Sequence, residues 1–257
     1  MSVLKSMILA FSMFSRIPVP KAEWNQKNMK YMMAFFPLVG TVIGLILMGW
    51  GYMAGSLKMS RMLFACGVTL IPIAVTGGIH LDGFCDTADA LSSHALPEKK
   101  RDILKDPHIG SFAVISVCCY LMLYFSLCYE LSLKRDVLVM LICIHTLSRV
   151  LSGFSVLMIP SDNHKGTLSA FSEASDKNVV VLILAAILIC CEVTAIVVSP
   201  VGGGLILING AICFLLLKRM AQNDFEGMRG DLAGFFLQIN ELLSLVCIII
   251  AQKGDFM

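Results

Sequence analysis

The sequence predicts an all-α integral membrane protein, a polytopic bundle of about seven transmembrane helices with a range of six to eight. Of the 257 residues, 57% are hydrophobic and only 15% are charged, whereas a soluble globular domain carries about 25% charged residues. Seven apolar stretches approach the roughly 20 residues that a helix needs to cross a bilayer. No domain boundary is evident, so residues 1–257 are predicted to form a single membrane domain.

The predicted membrane-spanning segments are helices, because in lipid only a helix or a closed β-barrel satisfies all backbone hydrogen-bonding groups. Residues 1–15 hold a short apolar run and are predicted to form an interfacial or partly inserted helix. The third span is the cleanest, and the sixth is the weakest because it is short and opens on three glycines. The fifth and sixth spans are interpreted as a hairpin that turns at Ser199-Pro200. The predicted spans are residues 31–55, 62–79, 111–130, 136–159, 179–199, 201–217 and 232–251.

Lysine and arginine are distributed unequally between the two sides of these spans. Seven crossings place fourteen of them on the side of the N-terminus and five on the other side, with Arg149 inside the fourth span. The positive-inside rule makes the N-terminal side cytoplasmic. The three long connections, residues 80–110, 160–178 and 218–231, all fall on that side. The pattern therefore predicts polar loops gathered at the cytoplasmic face.

Three aspartates follow directly on the second span. Asp82, Asp86 and Asp89 are spaced i, i+4 and i+7, which places them within about 60° of one another on a helix. Like charges on one stripe repel unless a cation lies between them, and carboxylate oxygens select Mg²⁺, Mn²⁺ or Ca²⁺. The alternative is a solvated helix end whose acids cap a first turn. Because His80 and Gly83 lie among them at the membrane boundary, we predict a divalent metal on the three aspartates.

Two further polar segments lie at the same face. Asp102 and Asp106 are four residues apart and alternate with basic residues, so an ordinary solvated helix that ends before Pro107 is an equal alternative to a site. Arg229 and Asp231 lie in a glycine-rich connection, where the glycines permit a close approach of backbone to ligand. Mg²⁺ commonly binds through a few carboxylates and substrate phosphates, so the pattern indicates phosphoryl transfer.

Arg149 is an ionisable residue inside the fourth span, four residues after His145. Charged side chains in a span are costly and usually face the protein interior or a wet cavity. A bound phosphate explains Arg149, and so does a structural ion pair with Glu192 or Glu241. The sequence leaves both explanations open.

Several motifs together give a resemblance that runs nearly end to end. The most specific is the His-Leu-Asp-Gly block, followed by its trailing acids. The motifs are FSRIPVP at 14–20, FPLVG at 36–40, GIHLDG at 78–83, KDPHIG at 105–110, Ser148-Arg149, and Gly230-Asp231 with Glu241. On these residues the chain resembles the cobalamin synthase family, the adenosylcobinamide-GDP ribazoletransferases of bacterial vitamin B12 assembly.

The resemblance implies a transferase of the bacterial inner membrane with Mg²⁺ as its cofactor. Its substrates are adenosylcobinamide-GDP and α-ribazole or α-ribazole 5′-phosphate, and GMP is released. A homo-oligomer and association with other corrinoid-pathway enzymes both stay open. The expected catalytic residues are His80, Asp82, Asp86 and Asp89, the three aspartates being the expected metal ligands. The expected substrate and phosphate contacts are Lys105, Asp106, Arg149, Arg229 and Asp231.

Three other function classes fit the sequence less well. The net charge of +2, without a Lys/Arg-rich patch, argues against nucleic-acid binding. A membrane phosphotransferase of the CDP-alcohol type has Ala-Arg where this chain has Asp86-Thr87, and its later aspartate spacing is absent. An ion-coupled transporter places its acids near the membrane midplane, whereas these acids lie beyond the end of a span.

Overall fold

The structure is a computed structural model that describes residues 2–161 and 167–256. Part of the predicted connection 160–178, residues 162–166, lies outside the described residues. The described residues form helices and no β-strand, which confirms the all-α prediction. The helices are α1 (Ser2–Phe14), α2 (Gln26–Met29), α3 (Met32–Ser56), α4 (Arg61–Thr76), α5 (Ile79–Ser92), α6 (Pro97–Ile103), α7 (Ser111–Glu130), α8 (Arg135–Met158), α9 (Thr167–Ala174), α10 (Lys177–Val198), α11 (Pro200–Asp224) and α12 (Gly230–Lys253).

Within the described ranges, six helices are long and apolar enough to cross a membrane, and the pair α4 and α5 is a seventh candidate bent by 94°. Contacts at its two ends show that α4 reaches from one end of the bundle to the other. The Arg61 guanidinium lies 5.9 Å from the ring centre of Tyr129 at the end of α7. At the opposite end, the Arg16 backbone N–H donates to the carbonyl of Val75 over 2.7 Å. We therefore treat α4 as the crossing segment and α5 as a helix outside it.

The second span ends earlier than the sequence pattern predicted. Helix α4 stops at Thr76 because Gly77 and Gly78 take positive φ angles of 66° and 81°, a backbone region that costs glycine little. The chain turns there and starts α5 at Ile79. The predicted helical stripe of aspartates is thus a real helix, but it lies across the end of the bundle.

Helix α8 is the centre of the bundle, with most of its length buried, and it packs chiefly against α3. Helices α7 and α10 lie at the periphery, where side chains such as Met122 and Leu182 are exposed. Such exposure is expected of a surface that faces lipid tails instead of water. The predicted hairpin is also present, since α10 ends at Val198 and α11 starts at Pro200.

The long connections gather at one end of the bundle, which we call the polar end. There Lys100 Nζ lies 2.5 Å from Asp224 Oδ1, so α11 continues past the predicted span into this layer. The Met228 backbone N–H donates to the carbonyl of Pro160 over 2.8 Å, which ties the start of α12 to the end of α8. The opposite end has short turns. This arrangement holds several loops of different origin around one space.

Candidate functional site

A cavity of about 500 Å³ lies at the polar end, between α1, α3, α5, α8, α9 and the start of α12. Small-molecule sites commonly range from about 300 to 1,000 Å³. Five of the nine residues predicted as functional line this cavity: His80, Asp82, Lys105, Arg229 and Asp231. They come from α5, from the connection after α6 and from the region where α12 begins, so the fold joins separate motifs in one site.

Two glycines bring α5 and α12 into backbone contact beside the cavity. A Cβ atom on Gly83 would lie 2.8 Å from the carbonyl oxygen of Asp231, and one on Gly234 would lie 2.9 Å from that of His80. Real Cβ atoms do not come so close, so both positions need glycine. Helix α5 starts at Ile79 and α12 at Gly230, so the first turns of both helices line the cavity. Helix N-termini carry partial positive charge and favour anions.

The carboxylates near the cavity lie within one another's electric field. The pKa of Asp86 is raised to about 6, first by partial burial and then by the charges of Asp82, Asp231 and Asp89. Across the described part of the chain, no three carboxylate, imidazole or thiol groups stand close enough together to hold a metal ion by themselves. The donor chemistry still fits Mg²⁺, which binds through one or two carboxylates and completes its shell with water and substrate phosphate.

Asp89 has a structural contact of its own. Its Oδ1 accepts a hydrogen bond of 3.3 Å from the backbone N–H of Ala113, in the first turn of α7. The carboxylate therefore caps α7, a neighbouring helix, and not the first turn of α5. This resembles the capping alternative that the sequence left open, while the metal role of Asp89 stays a prediction.

Asp106 points to a different environment from its neighbour Lys105. Asp106 Oδ1 accepts from the backbone N–H of His108 over 2.9 Å and lies 2.7 Å from Nδ1 of the same residue. These hydrogen bonds lower the pKa of Asp106. Asp106 is exposed and is not part of the cavity wall, whereas Lys105 is. The predicted substrate contact of Asp106 stays a prediction.

Arg149 is paired inside the bundle. Its guanidinium contacts the carboxylate of Glu241 on α12, and its side chain is 1% exposed. Nη1 of Arg149 also donates to the carbonyl of His145 over 2.9 Å. Of the two explanations that the sequence allowed, the described contacts match the structural pair with Glu241. Arg149 does not line the cavity at the polar end, and the predicted contact of Arg149 with phosphate stays a prediction.

The sequence does not identify the apolar half of the cavity as a part of the site. Phe14, Phe36 and Phe171 line it together with Met13, Met33 and Leu168. These side chains have the same composition as an ordinary core, so residue type alone does not distinguish them. A signal did exist for two of them, because Phe14 and Phe36 open the FSRIPVP and FPLVG motifs.

Comparison with known proteins gives one family. The profile described as cobalamin-5-phosphate synthase matches residues 6–249. A protein of Lachnoclostridium phytofermentans named adenosylcobinamide-GDP ribazoletransferase is 37% identical over 252 residues, covering 98% of this chain and 96% of the relative. A protein of the same name from Clostridium perfringens is 31% identical, covering 94% and 96%. One from Shewanella amazonensis is 29% identical, covering 96% and 95%. No solved structure matches the chain.

Proposed function

Because the chain belongs to the cobalamin-5-phosphate synthase family, we propose that it joins adenosylcobinamide-GDP to α-ribazole or α-ribazole 5′-phosphate and releases GMP. The family and the names of the relatives make it a membrane-embedded transferase of cobalamin biosynthesis. The structural observation that carries the proposal is the cavity at the polar end. Acidic residues, basic residues and two helix N-termini meet there, a combination that suits metal-assisted transfer of a phosphate group.

The reaction exchanges one phosphorus–oxygen bond for another. The 3′-hydroxyl of the ribose in α-ribazole attacks the phosphorus nearer the corrinoid, and the bond from that phosphorus to the bridging oxygen breaks. GMP leaves with the bridging oxygen, and the hydroxyl proton passes to a base. Such a transfer depends mainly on positioning and on neutralising charge.

The basic residues and helix ends of the cavity suit the diphosphate. Lys105 and Arg229 both line the cavity and bring positive charge to it. The N-termini of α5 and α12 add backbone N–H groups that favour anions. We assign these groups to holding the diphosphate and the departing phosphate of GMP.

Asp82 and Asp86 are the proposed holders of Mg²⁺, with water and substrate phosphate completing its shell. Asp231 lines the cavity beside Asp82 and adds negative charge near the ion, while Asp89 caps α7. Bound Mg²⁺ would neutralise phosphate charge and polarise the phosphorus–oxygen bonds. Partial burial, and then the charges of Asp82, Asp231 and Asp89, raise the pKa of Asp86, and a bound cation would offset both effects.

His80 is the proposed acceptor of the hydroxyl proton. It lines the cavity between the aspartates and the aromatic residues, its side chain is buried, and no hydrogen-bond partner of its Nε2 is described. Asp82 is the nearest residue on the same helix that offers an alternative acceptor. A general base must lie within reach of the proton that it takes, which the place of His80 in the cavity wall allows.

We place the protein in the bacterial inner membrane with the cavity open to the cytoplasm. The excess of lysine and arginine at the polar end supports this orientation. Nucleotide-linked substrates reach the site directly from that side.

The deciding experiment uses the purified protein in liposomes with adenosylcobinamide-GDP, α-ribazole and Mg²⁺, with and without EDTA. We expect GMP and the corrinoid product to form together and only with metal. Formation without metal would remove the Mg²⁺ assignment. Folded protein that forms no product would refute the proposed reaction, and a headgroup-transfer assay with a CDP-linked lipid would then test the CDP-alcohol alternative.

A further inference from the structure

One half of the cavity is apolar and comes mainly from helices that contribute none of the charged site residues. Helix α1 ends at the cavity, α3 starts beside it, and α9 closes it from the side of the connection after α8. We call this group the aromatic wall, and it consists of Met13, Phe14, Met33, Phe36, Leu168 and Phe171.

The rings of the aromatic wall hold one another in place. The centre of the Phe14 ring lies 4.2 Å from that of Phe36 and 6.4 Å from that of Phe171, which it meets edge-on. The imidazole of His80 lies 6.3 Å from the Phe14 ring and 5.7 Å from the Phe36 ring. Phe36 and Phe171 are 2% and 4% exposed, while Phe14 is only partly buried. The wall is therefore a preorganised surface that ends at His80, the proposed general base.

The chemistry of the wall favours a flat ligand with few polar groups. Phenylalanine, methionine and leucine side chains offer dispersion and ring contacts but no N–H or O–H donor. Guanine carries several donors and acceptors, and burying them without partners is costly. The dimethylbenzimidazole base of α-ribazole, once joined to ribose, has no N–H group and carries two methyl groups. The corrin ring with its side arms is far too large for about 500 Å³.

We propose that the aromatic wall binds the benzimidazole base of α-ribazole and so selects the acceptor substrate. This inference rests on the proposed function and adds the orientation of the substrate. The benzimidazole lies on the aromatic wall, and the ribose hydroxyl lies beside His80 and Asp82. The diphosphate lies toward Lys105 and Arg229. His80 lines the cavity and its imidazole lies beside the Phe14 ring, so it adjoins the place where the ribose would lie.

The first test replaces aromatic rings by an apolar side chain without a ring. Phe14→Leu and Phe171→Leu are each expected to raise the KM for α-ribazole about two- to tenfold, the range that aromatic contacts typically contribute. The KM for adenosylcobinamide-GDP is expected to stay unchanged. Phe125→Leu is the matched control, since Phe125 is a partly buried phenylalanine of α7 outside the cavity.

The second test changes the ligand. Benzimidazole riboside, which lacks both methyl groups, is expected to bind the unaltered protein about tenfold more weakly than α-ribazole, because each buried methyl contributes to affinity. The double variant Phe14→Leu with Phe171→Leu is expected to lose most of this discrimination. Equilibrium dialysis of both nucleosides against each protein measures it without any turnover.

The outcomes separate this inference from the proposed reaction. Product formation with an unchanged methyl discrimination in the double variant would overturn the inference and leave the reaction standing. A selective rise in the KM for adenosylcobinamide-GDP, with weaker inhibition by GMP, would show that the wall binds guanine instead. Wall-dependent binding of α-ribazole by a protein that forms no product would support the inference and refute the reaction.

Discussion

Arg149 on α8 and Glu241 on α12 form an ion pair inside the bundle, with exposures of only 1% and 2%. The Ser148 hydroxyl donates to Glu241 Oε1 over 2.8 Å, and His145 Nδ1 lies 2.9 Å from the same oxygen. The pair joins the central helix to the helix that carries Asp231 at its start. A charge buried at this depth depends on its partner, because removing one member leaves the other without compensation.

Glu241→Gln tests this dependence. We expect the free energy of unfolding to fall by about 3–5 kcal/mol, since Arg149 stays buried without a counter-charge. Thermal unfolding in detergent measures the change. Glu130→Gln is the control, because Glu130 pairs with Lys253 at the surface over 2.6 Å and such pairs contribute about 1 kcal/mol or less. Equal losses of unfolding free energy in Glu241→Gln and Glu130→Gln would show that the buried pair contributes no more stability than the surface pair.

Asp82→Asn and Asp86→Asn test the metal assignment. Each removes a negative charge from the proposed Mg²⁺ ligands, so we expect turnover to fall at least about a hundredfold, with membrane insertion unchanged. GMP release over a range of Mg²⁺ concentrations measures it. Asp255→Asn is the control, since Asp255 is exposed and lies at the opposite end of the bundle, next to Phe256, whose carbonyl accepts from Ser199. Full activity of both site variants at saturating Mg²⁺ would refute the assignment.

Asp89 allows its two roles to be separated by two substitutions. Asparagine retains an oxygen that accepts the Ala113 N–H, so Asp89→Asn is expected to keep the thermal stability and most of the turnover. Alanine loses the cap, so Asp89→Ala is expected to lower the stability by about 1 kcal/mol. Unfolding midpoints and GMP release distinguish the cases. A loss of turnover in Asp89→Asn as large as in Asp82→Asn would make Asp89 a metal ligand.

The sequence predicted well those features that depend on local periodicity. The helical stripe of Asp82, Asp86 and Asp89 is present because i, i+4 and i+7 spacing determines a helix face by itself. It did not reveal the α5–α12 contact, since the close approach of Gly83 to Asp231 joins residues far apart in the chain. For the same reason the sequence groups Asp89 with Asp82 and Asp86, although the Asp89 carboxylate contacts α7.

The same limit applies to the apolar residues and to Arg149. The sequence does not distinguish a phenylalanine that fills a core from one that lines a cavity, such as Phe171, because both are equally hydrophobic. Arg149 was recognised as unusual because charge inside a span is rare. The sequence restricts the partner of Arg149 to Glu192 or Glu241, and tertiary packing selects Glu241.

Gly83→Ala tests whether the α5–α12 contact positions the site. The added methyl group would lie 2.8 Å from the Asp231 carbonyl oxygen, so the helices must separate. We expect stability to fall by about 1–3 kcal/mol and turnover to fall more steeply, by about tenfold or more, because small displacements of reacting groups are costly. Gly49→Ala is the control, since nothing lies within 4 Å of the added atom. A Gly83→Ala variant with normal turnover would show that the contact does not position the site.

The number of crossings determines on which faces of the membrane the chain segments lie. If α4 crosses, the connection after α6 and the N-terminus share the polar end, and the C-terminus lies at the other end, where the Ser199 hydroxyl donates to the Phe256 carbonyl over 2.9 Å. A reporter enzyme active only outside the cytoplasm is therefore expected to be active when fused after residue 256 and inactive when fused after residue 104. Both fusions need comparable expression, measured by immunoblot, as the control. An active fusion after residue 104 would refute the cytoplasmic orientation of the polar end.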